Sequence, residues 1–271
     1  RQMCIRDRII KMVRVGVVGA MGKMGQEVVK AVCNDDTLEL VCAVDINQID
    51  SEVCAKREVR IMGDLKSAIL MHNPDVIVDF TQPKYVFENA KICLENGVRP
   101  VIGTTGLSDE QIEELNALSQ AKGLGCLIAP NFSTGAILMM MFAKQAAKYF
   151  DNAEIVELHH NQKKDAPSGT AIKTALMMSE SGTMSFETGN CEETETIEGA
   201  RGGKSYSDIR IHSVRMPGYI ASQEVIFGAS GQILTIRHDS MDRQCYMAGV
   251  KLAVKYIAEH NEFIYGLEKI M

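Results

Sequence analysis

Eighteen consecutive residues, Glu154 to Ala171 (E-I-V-E-L-H-H-N-Q-K-K-D-A-P-S-G-T-A), hold two adjacent histidines, two lysines, three acids and a helix start. Histidine is the side chain whose charge changes nearest neutral pH, so His159 and His160 can give or take a proton there. Lys163 and Lys164 bring positive charge to the same place. Glu154 to His160 alternates like a strand, which sends His159 and His160 to opposite faces. Ser168 is a good N-cap, and a helix-compatible run from Ala171 to Met178 follows it. A helix start has N–H groups without intrahelical partners, and these attract anions. The chemistry so assembled is proton transfer to a bound anion. The same residues could also form a solvated charged loop with a stacked histidine pair, and this stretch alone leaves both readings open.

Residues far upstream bear on the choice. Val13 to Val18 (V-R-V-G-V-V) is a β-branched run suited to a buried parallel strand. Gly19-Ala20-Met21-Gly22-Lys23-Met24-Gly25 follows at once and opens an amphipathic helix to about Cys33. Glycines in such a turn let the backbone approach a pyrophosphate at the helix N-terminus. A second strand, Leu38 to Val44, ends in Asp45, twenty residues beyond Gly25, where a dinucleotide site places its ribose-binding acid. A tight turn without a ligand is the alternative. The residue after Asp45 is Ile46 rather than an arginine, which favours NADH; Lys23 is the nearby cation that would admit NADPH as a second cofactor.

Strands and helices go on alternating. A helix is expected over Asp64–Met71, a strand over Val76–Phe80 ending at Thr81, and a helix over Lys84–Glu95 stopped by Asn96-Gly97. A strand over Val98–Ile102 leads into Gly103-Thr104-Thr105-Gly106. Ser108 with Gln111 forms a capping box, and a strand over Leu124–Ile128 leads into Ala129-Pro130-Asn131-Phe132-Ser133. In an open parallel sheet, ligands sit beyond the carboxyl ends of the strands. The glycine turn, Asp45, Phe80-Thr81, the G-T-T-G loop and the A-P-N-F loop all occupy such ends. Phe80 and Phe132 could equally be core residues.

The pattern changes after a long Met-rich helix, Thr134 to Phe150. Glu180 to Lys204 is polar and reads as a long loop. Ile209–Met216, Gln223–Phe227 and Gln232–Arg237 read as mostly antiparallel strands, and Asp242–Ile257 as a final amphipathic helix that packs back on the first half. The expected class is therefore α/β: a doubly wound parallel sheet, then an α+β half. The 271 residues carry a net charge of −6, with no basic excess to bind nucleic acid or an anionic membrane surface. Eight cysteines without C-x-x-C or Cys/His ligand spacing point to neither a metal nor a disulfide framework, and suit reduced thiols in the cytoplasm. No apolar run approaches the roughly 20 residues that span a bilayer. Residues 1–11 read as an extension ahead of the domain pattern, which begins at Met12-Val13, and they are expected to be poorly ordered.

With the glycine turn and the histidine–lysine stretch both in view, the chain resembles the 4-hydroxy-tetrahydrodipicolinate reductase (dihydrodipicolinate reductase) family of lysine and diaminopimelate biosynthesis. Its signature, E-x-H-x-x-x-K-x-D-x-P-S-G-T-A, is met from Glu157 to Ala171 without a mismatch, and the G-x-x-G-x-x-G, G-T-T-G and N-F-S elements come in the family's order. The resemblance implies a Rossmann domain over 12–133 plus 242–271, and a substrate and oligomerisation domain with an open mixed sheet over 134–241. It also implies a homotetramer built through those sheets. Gly19, Ala20, Met21, Gly22, Lys23 and Met24 would hold the pyrophosphate and Asp45 the ribose. Gly103, Thr104, Thr105, Ala129, Pro130, Asn131 and Phe132 would line the nicotinamide side. His159 would be the proton donor and Lys163 the second proton-donating residue, with His160, Gly169 and Thr170 on the carboxylates of a small dicarboxylate. Ile46 departs from members that use NADPH well, and Pro130 stands where some have alanine. Donor and acceptor on different domains would require closure, with hinges near Ser133-Thr134 and before Asp242. An aspartate or homoserine dehydrogenase-like reductase shares the first half but gives no reason for K-D-A-P-S-G-T-A. A dinucleotide sensor without turnover gives no reason to hold both His159 and Lys163.

Overall fold

A computed structural model describes residues 12–54, 57–182, 186 and 192–271. The expectations for residues 1–11 and for parts of the 180–204 loop lie outside the described residues. The chain divides into two compact units: residues up to Phe132 together with Tyr246–Met271, and Ser133–Cys245.

The first unit carries β1 (Val13–Val18), α1 (Lys23–Cys33), β2 (Leu38–Val44), β3 (Glu52–Cys54), β4 (Val59–Met62) and α2 (Leu65–His72). β5 (Val76–Asp79), α3 (Pro83–Glu95), β6 (Arg99–Ile102), α4 (Asp109–Lys122) and β7 (Cys126–Ile128) follow. The second unit carries α5 (Thr134–Ala146), β8 (Asn152–His159), α6 (Gly169–Ser179), β9 (Gly203–Lys204), β10 (Arg210–Arg215), β11 (Ala221–Ala229) and β12 (Gln232–Ser240). The chain then returns to the first unit as α7 (Met247–Glu259) and β13 (Phe263–Tyr265).

The first sheet has the order β13-β7-β6-β5-β1-β2-β4-β3. Its pairs are parallel, except that β3 runs antiparallel to β4. Strands covered on both faces need continuous apolar runs, and all four residues of β5 (V-I-V-D) are buried, the terminal aspartate included. Val18, Cys42, Val44 and Ile77 pack with Leu65, Ile69 and Cys93 of α2 and α3. α7 packs against α1, β1, β5 and β6. This is the doubly wound, Rossmann-type sheet expected from the alternation of strands and helices.

One glycine ties the first turn to the first helix. A Cβ at Gly25 would fall 2.7 Å from the Gly19 carbonyl carbon and 2.8 Å from Ala20 Cα. Backbone cannot yield as a side-chain tip can, so Gly25→Ala is expected to cost about 1–3 kcal/mol. Thermal unfolding of the variant, compared with the parent, reads that cost as a drop of several degrees in Tm.

The second sheet has the order β12-β11-β8-β10-β9. β11 runs antiparallel to both β8 and β12, whereas β10 runs parallel to β8, pairing Arg210 with Glu154 and Arg215 with His159. The sheet is therefore mixed, and α6 with the loop after it provides the crossover that a parallel pair needs. Ile155, Val225 and Phe227 pack under Ala143, Ala171, Ala175 and Met178 of α5 and α6.

Several boundaries differ from expectation. α6 begins at Gly169, directly after its Ser168 cap, rather than at Ala171. The helix from Thr134 stops at Ala146 and tightens into a 3₁₀ turn, and the last helix is a 3₁₀ turn over Arg243–Tyr246 before α7. β6 starts at Arg99 and β7 at Cys126. β3 and β13 at the two edges, and β4 beside β3, are short strands whose three or four residues carry no periodic signal. The expectation of reduced cysteines fails at one pair: Cys33 at the end of α1 and Cys54 on β3 are joined as a disulfide, 21 residues apart. Cys42, Cys93 and Cys126 are free and buried. Among the described residues no helix is long and apolar enough to cross a membrane, and no cluster of three or more metal-ligating side chains occurs.

Candidate active site

In the first unit a cleft of about 520 Å³ opens beyond the carboxyl ends of β1, β2 and β5, lined by Gly19, Met21, Gly22, Asp45, Ile46, Phe80 and Thr81 among others. Gly19 has φ +76°, and a Cβ there would meet the Phe80 carbonyl oxygen at 3.0 Å, so only glycine fits the turn. The N–H groups of Gly19 and Ala20 both donate to the Val44 carbonyl, at 2.9 and 3.2 Å, and that of Gly22 to Gly19. The Met21 N–H donates to Asp45 Oδ2 at 2.9 Å. The first four residues of the turn thus use their own donors to hold its shape. The open donors belong to the first turn of α1, at Lys23 and Met24, where Gly22 provides no side-chain cap. Ala20 is buried, while the Lys23 side chain is exposed and outside the cleft lining.

Asp45 is 9% exposed and faces the cleft. Its other oxygen accepts from the Asn47 N–H at 2.9 Å and from Asn47 Nδ2 at 3.2 Å. One carboxylate therefore braces the glycine turn and the loop after β2 while presenting itself to a ligand.

The remaining predicted residues of this unit fall into two groups. Gly103, Thr104, Thr105, Pro130 and Asn131 keep some surface, whereas Ala129 and Phe132 are buried at 1% and 2% exposure. The Phe132 ring packs against Phe80 with centroids 5.7 Å apart, so its side chain belongs to the core and only its backbone remains for a ligand. A Cβ at Gly103 would collide with the Phe80 ring, which keeps this loop close to the cleft. One residue that sequence reasoning missed stands beneath these loops. Asp79 is buried and accepts from the Thr81 N–H (2.7 Å), Thr81 Oγ1 (2.6 Å), Asn89 Nδ2 (2.8 Å) and Thr104 Oγ1 (3.4 Å). Burial pushes its carboxyl pKa up against the pull of those hydrogen bonds. The available signal was an acid closing the apolar run V-I-V-D.

In the second unit the opening stretch becomes the end of β8, a loop and the start of α6. Ala153, Ile155 and Glu157 form the buried face of β8, and His159 continues that face at the strand's end. Glu157 is completely buried. It accepts from His159 Nδ1, from both terminal nitrogens of Arg215 (2.9 and 2.7 Å) and from the Ser168 N–H (3.2 Å). Burial pushes the Glu157 carboxyl up, but the hydrogen bonds from His159 and Arg215 outweigh it and hold the group at about 2. The carboxylate is ionised, so His159 Nδ1 carries the shared proton and Nε2 is the open nitrogen. Arg215, which the sequence did not single out, also donates to the Asp165 carbonyl at 2.8 Å and so anchors the loop.

Lys163 Nζ lies 2.8 Å from both oxygens of Asp165, which lowers the pKa of that carboxyl. His160 is exposed, and its Nδ1 accepts from the Gln162 N–H at 3.2 Å. Lys164 is exposed. Ser168 caps α6 by accepting from Ala171, which leaves the Gly169 and Thr170 N–H groups at the open end of the helix. Nothing lies within 4 Å of a Cβ placed on Gly169. The Thr170 carbonyl is held by Thr174 Oγ1 at 2.7 Å, which in turn accepts from the buried Gln223 at 2.7 Å. His159, Lys163, Gly169 and Thr170 thus share one unit, around a histidine with an oriented free nitrogen.

The comparisons with known proteins agree with both halves. The family model "Dihydrodipicolinate reductase, N-terminus" matches residues 13–132, and "Dihydrodipicolinate reductase, C-terminus" matches residues 135–271. The chain belongs to the dihydrodipicolinate reductase family. It is 53% identical over 268 residues to the 4-hydroxy-tetrahydrodipicolinate reductase of Gloeothece citriformis, covering 95% of this chain and 97% of the relative. The reductase of Listeria innocua is 52% identical over 264 residues, covering 95% and 99%. Among solved structures, a dipicolinate-bound dihydrodipicolinate reductase from Paenisporosarcina sp. TG-14 matches with a TM-score of 0.87 and 49% identity, over 96% of this chain and 100% of that one. Membership in the dihydrodipicolinate reductase family makes the chain an oxidoreductase.

Proposed function

We propose that the chain reduces 4-hydroxy-tetrahydrodipicolinate to tetrahydrodipicolinate at the expense of a nicotinamide dinucleotide, with His159 as proton donor. The observation that carries the reading is the oriented His159 beside Lys163 and the open start of α6, in a chain of this family. The residues of the first unit fit a dinucleotide: uncapped donors at Lys23 and Met24 for the pyrophosphate, Asp45 for the ribose, and a cleft of about 520 Å³, within the usual size range of small-molecule sites. Loss of the 4-hydroxyl with a C3 proton, as water, leaves C4 conjugated with the imine, and a bound nicotinamide would supply the hydride to that C4. Negative charge then develops toward the ring nitrogen and C3, and a proton must be delivered.

The second unit supplies what that charge needs. A protonated His159 donates from Nε2 while Glu157 retains the Nδ1 side. The substrate carries two carboxylates, which Lys163, His160 and the Gly169 and Thr170 N–H groups can receive, helped by the dipole of α6. The family resemblance extends the reading to a homotetramer built through the second sheet, and exposed Ile233 and Leu234 on β12 support it. NADH oxidation, with substrate freshly formed from pyruvate and aspartate semialdehyde, tests the reading against homoserine-pathway substrates. Turnover confined to the latter overturns it.

We read the cofactor preference as NADH, with NADPH accepted more weakly. The cleft lining includes Asp45 and Asp64 and no lysine or arginine, and the side chain next to Asp45 is Ile46, 73% exposed. A 2′-phosphate would meet carboxylate charge there, whereas a 2′-hydroxyl would find an acceptor. Ile46→Arg is expected to raise kcat/KM for NADPH by about tenfold or more relative to NADH, the size of one charge-assisted contact. Steady-state kinetics with both cofactors decide it, and an unchanged ratio would discard the assignment.

A further inference from the structure

We infer that Glu157 and Arg215 are positioning residues for the reduction: together they fix the tautomer and orientation of His159 so that Nε2 is the nitrogen that delivers the proton. The inference rests on the reading of His159 as proton donor. Its geometry stands independently of the substrate's identity.

A polar residue on the buried face of a strand needs a reason. On β8 that face reads Ala153, Ile155, Glu157, and a carboxylate with no exposure is costly unless it is fully paired. Glu157 is paired by Arg215, the Ser168 N–H, the Ser213 side chain and His159. Arg215 reaches it across the parallel register from β10, with Oε1 at 2.7 Å and Oε2 at 2.9 Å, a bidentate fork that leaves the carboxylate one orientation. The Ser168 N–H adds a third donor at 3.2 Å, linking the carboxylate to the cap of α6. His159 Nδ1 takes the remaining place on Oε2. If fold stability were the whole purpose, the Arg215 fork and the Ser168 N–H would satisfy the group. A further contact goes to the side chain at the strand's end, which is only 14% exposed and has its other nitrogen open.

The charge arithmetic points the same way. Glu157 and Arg215 cancel, so a protonated His159 leaves the cluster with one net positive charge, suited to an anionic substrate, and loss of its proton leaves the cluster neutral. Other charged groups near the pair are Lys163 and Asp165 in the loop, themselves matched at 2.8 Å. On the other neighbouring strand, β11, the residue opposite His159 is Ala221, which carries no charge. The ionised Glu157 is thus the direct anionic partner of the ring, bonded at Nδ1. A second nitrogen held in this way is how proteins define which imidazole nitrogen does chemistry.

Glu157→Gln keeps the shape and removes the charge. With the dicarboxylate substrate it is expected to lower kcat by about 10²-fold while KM for that substrate changes little, because Nε2 of His159 is no longer held in one orientation. The Kd for NADH should not change. A structural role alone would reduce the amount of folded enzyme without changing kcat per NADH-binding site, so an unchanged kcat on that basis overturns the inference. Loss of Glu157 leaves Arg215 buried without its partner, so Glu157→Gln/Arg215→Met is made alongside to remove both charges; it should restore folding and keep the lowered kcat. A second measurement needs neither variant nor turnover. In ¹⁵N-histidine NMR of the whole parent protein, neutral His159 is expected as the Nδ1–H tautomer with Nε2 unprotonated. An Nε2–H tautomer overturns the inference, even where the dicarboxylate proves not to be the substrate. Failure of turnover in the parent enzyme with the expected tautomer present would instead overturn the functional reading.

Discussion

Replacing His159 with glutamine is expected to lower kcat by about 10²-fold or more while leaving NADH affinity unchanged. Glutamine matches much of the ring's reach and can still bond to Glu157, so the fold around β8 should survive. It cannot release a proton at neutral pH, and proton delivery to the developing carbanion is the step assigned to Nε2. The groups assigned to the dinucleotide, the first turn of α1 and Asp45, belong to the other compact unit. Binding of NADH should therefore report an intact protein in the same samples that have lost turnover. KM for the dicarboxylate should move less than kcat, because Lys163 and the start of α6 remain. Steady-state kinetics combined with NADH fluorescence titration check both halves. An unchanged kcat would remove His159 from the acid role.

The parts of this site that were legible in the sequence are those built from neighbours in the chain. The strand–turn–helix from Val13 to Cys33, the capping box of Ser108 and Gln111, and the Ser168 cap all follow from local backbone chemistry. The glycine turn was legible as a turn, but which of its N–H groups stay open was not. Gly19, Ala20 and Gly22 prove to bond to Val44 and to the turn itself, and that depends on how β2 lies beside β1. Arg215 went unread for the same reason: 58 residues separate it from Glu157, and only the parallel pairing of β10 with β8 brings them together. Sequence signals favoured mostly antiparallel strands there, since short strands with Pro-Gly and Gly-Ser-Gly-like turns carry no mark of a crossover. Phe132 shows the converse. Its position in a loop of the right kind invited a ligand role, yet its ring is 2% exposed against Phe80.

The two helix starts assigned to anions are built differently, and the difference follows their loads. α1 begins without a side-chain cap, in a turn with no room for bulk, so its first N–H groups have no side-chain acceptor. α6 is capped by Ser168, whose own N–H is bound by Glu157. The same carboxylate therefore bonds the ring of His159 and the N–H of the Ser168 cap, and so ties the end of β8 to the start of α6.

Lys163→Ala is expected to damage both binding and turnover, with kcat/KM for the dicarboxylate falling by roughly 10²–10³-fold, equivalent to about 3–4 kcal/mol. Without ligand, Lys163 Nζ rests on Asp165 at 2.8 Å from both oxygens. Asp165 has 61% of its side chain exposed, and such a pair contributes only about 0–1 kcal/mol. The pair can therefore open at little cost when a ligand carboxylate competes for the ammonium. Removing the lysine has two effects at once: the dianion loses a cation, and Asp165 is left as an unbalanced negative charge beside it. Lys163→Ala/Asp165→Asn separates them. The double variant should recover part of the substrate KM, because the repulsion is gone, but not kcat, because the second proton-donating group is still missing. Lys163→Arg should hold KM near the parent value. Kinetics of the three variants, with NADH affinity as the control for folding, form a closed set. An unchanged KM in Lys163→Ala would show that the dicarboxylate does not use this lysine.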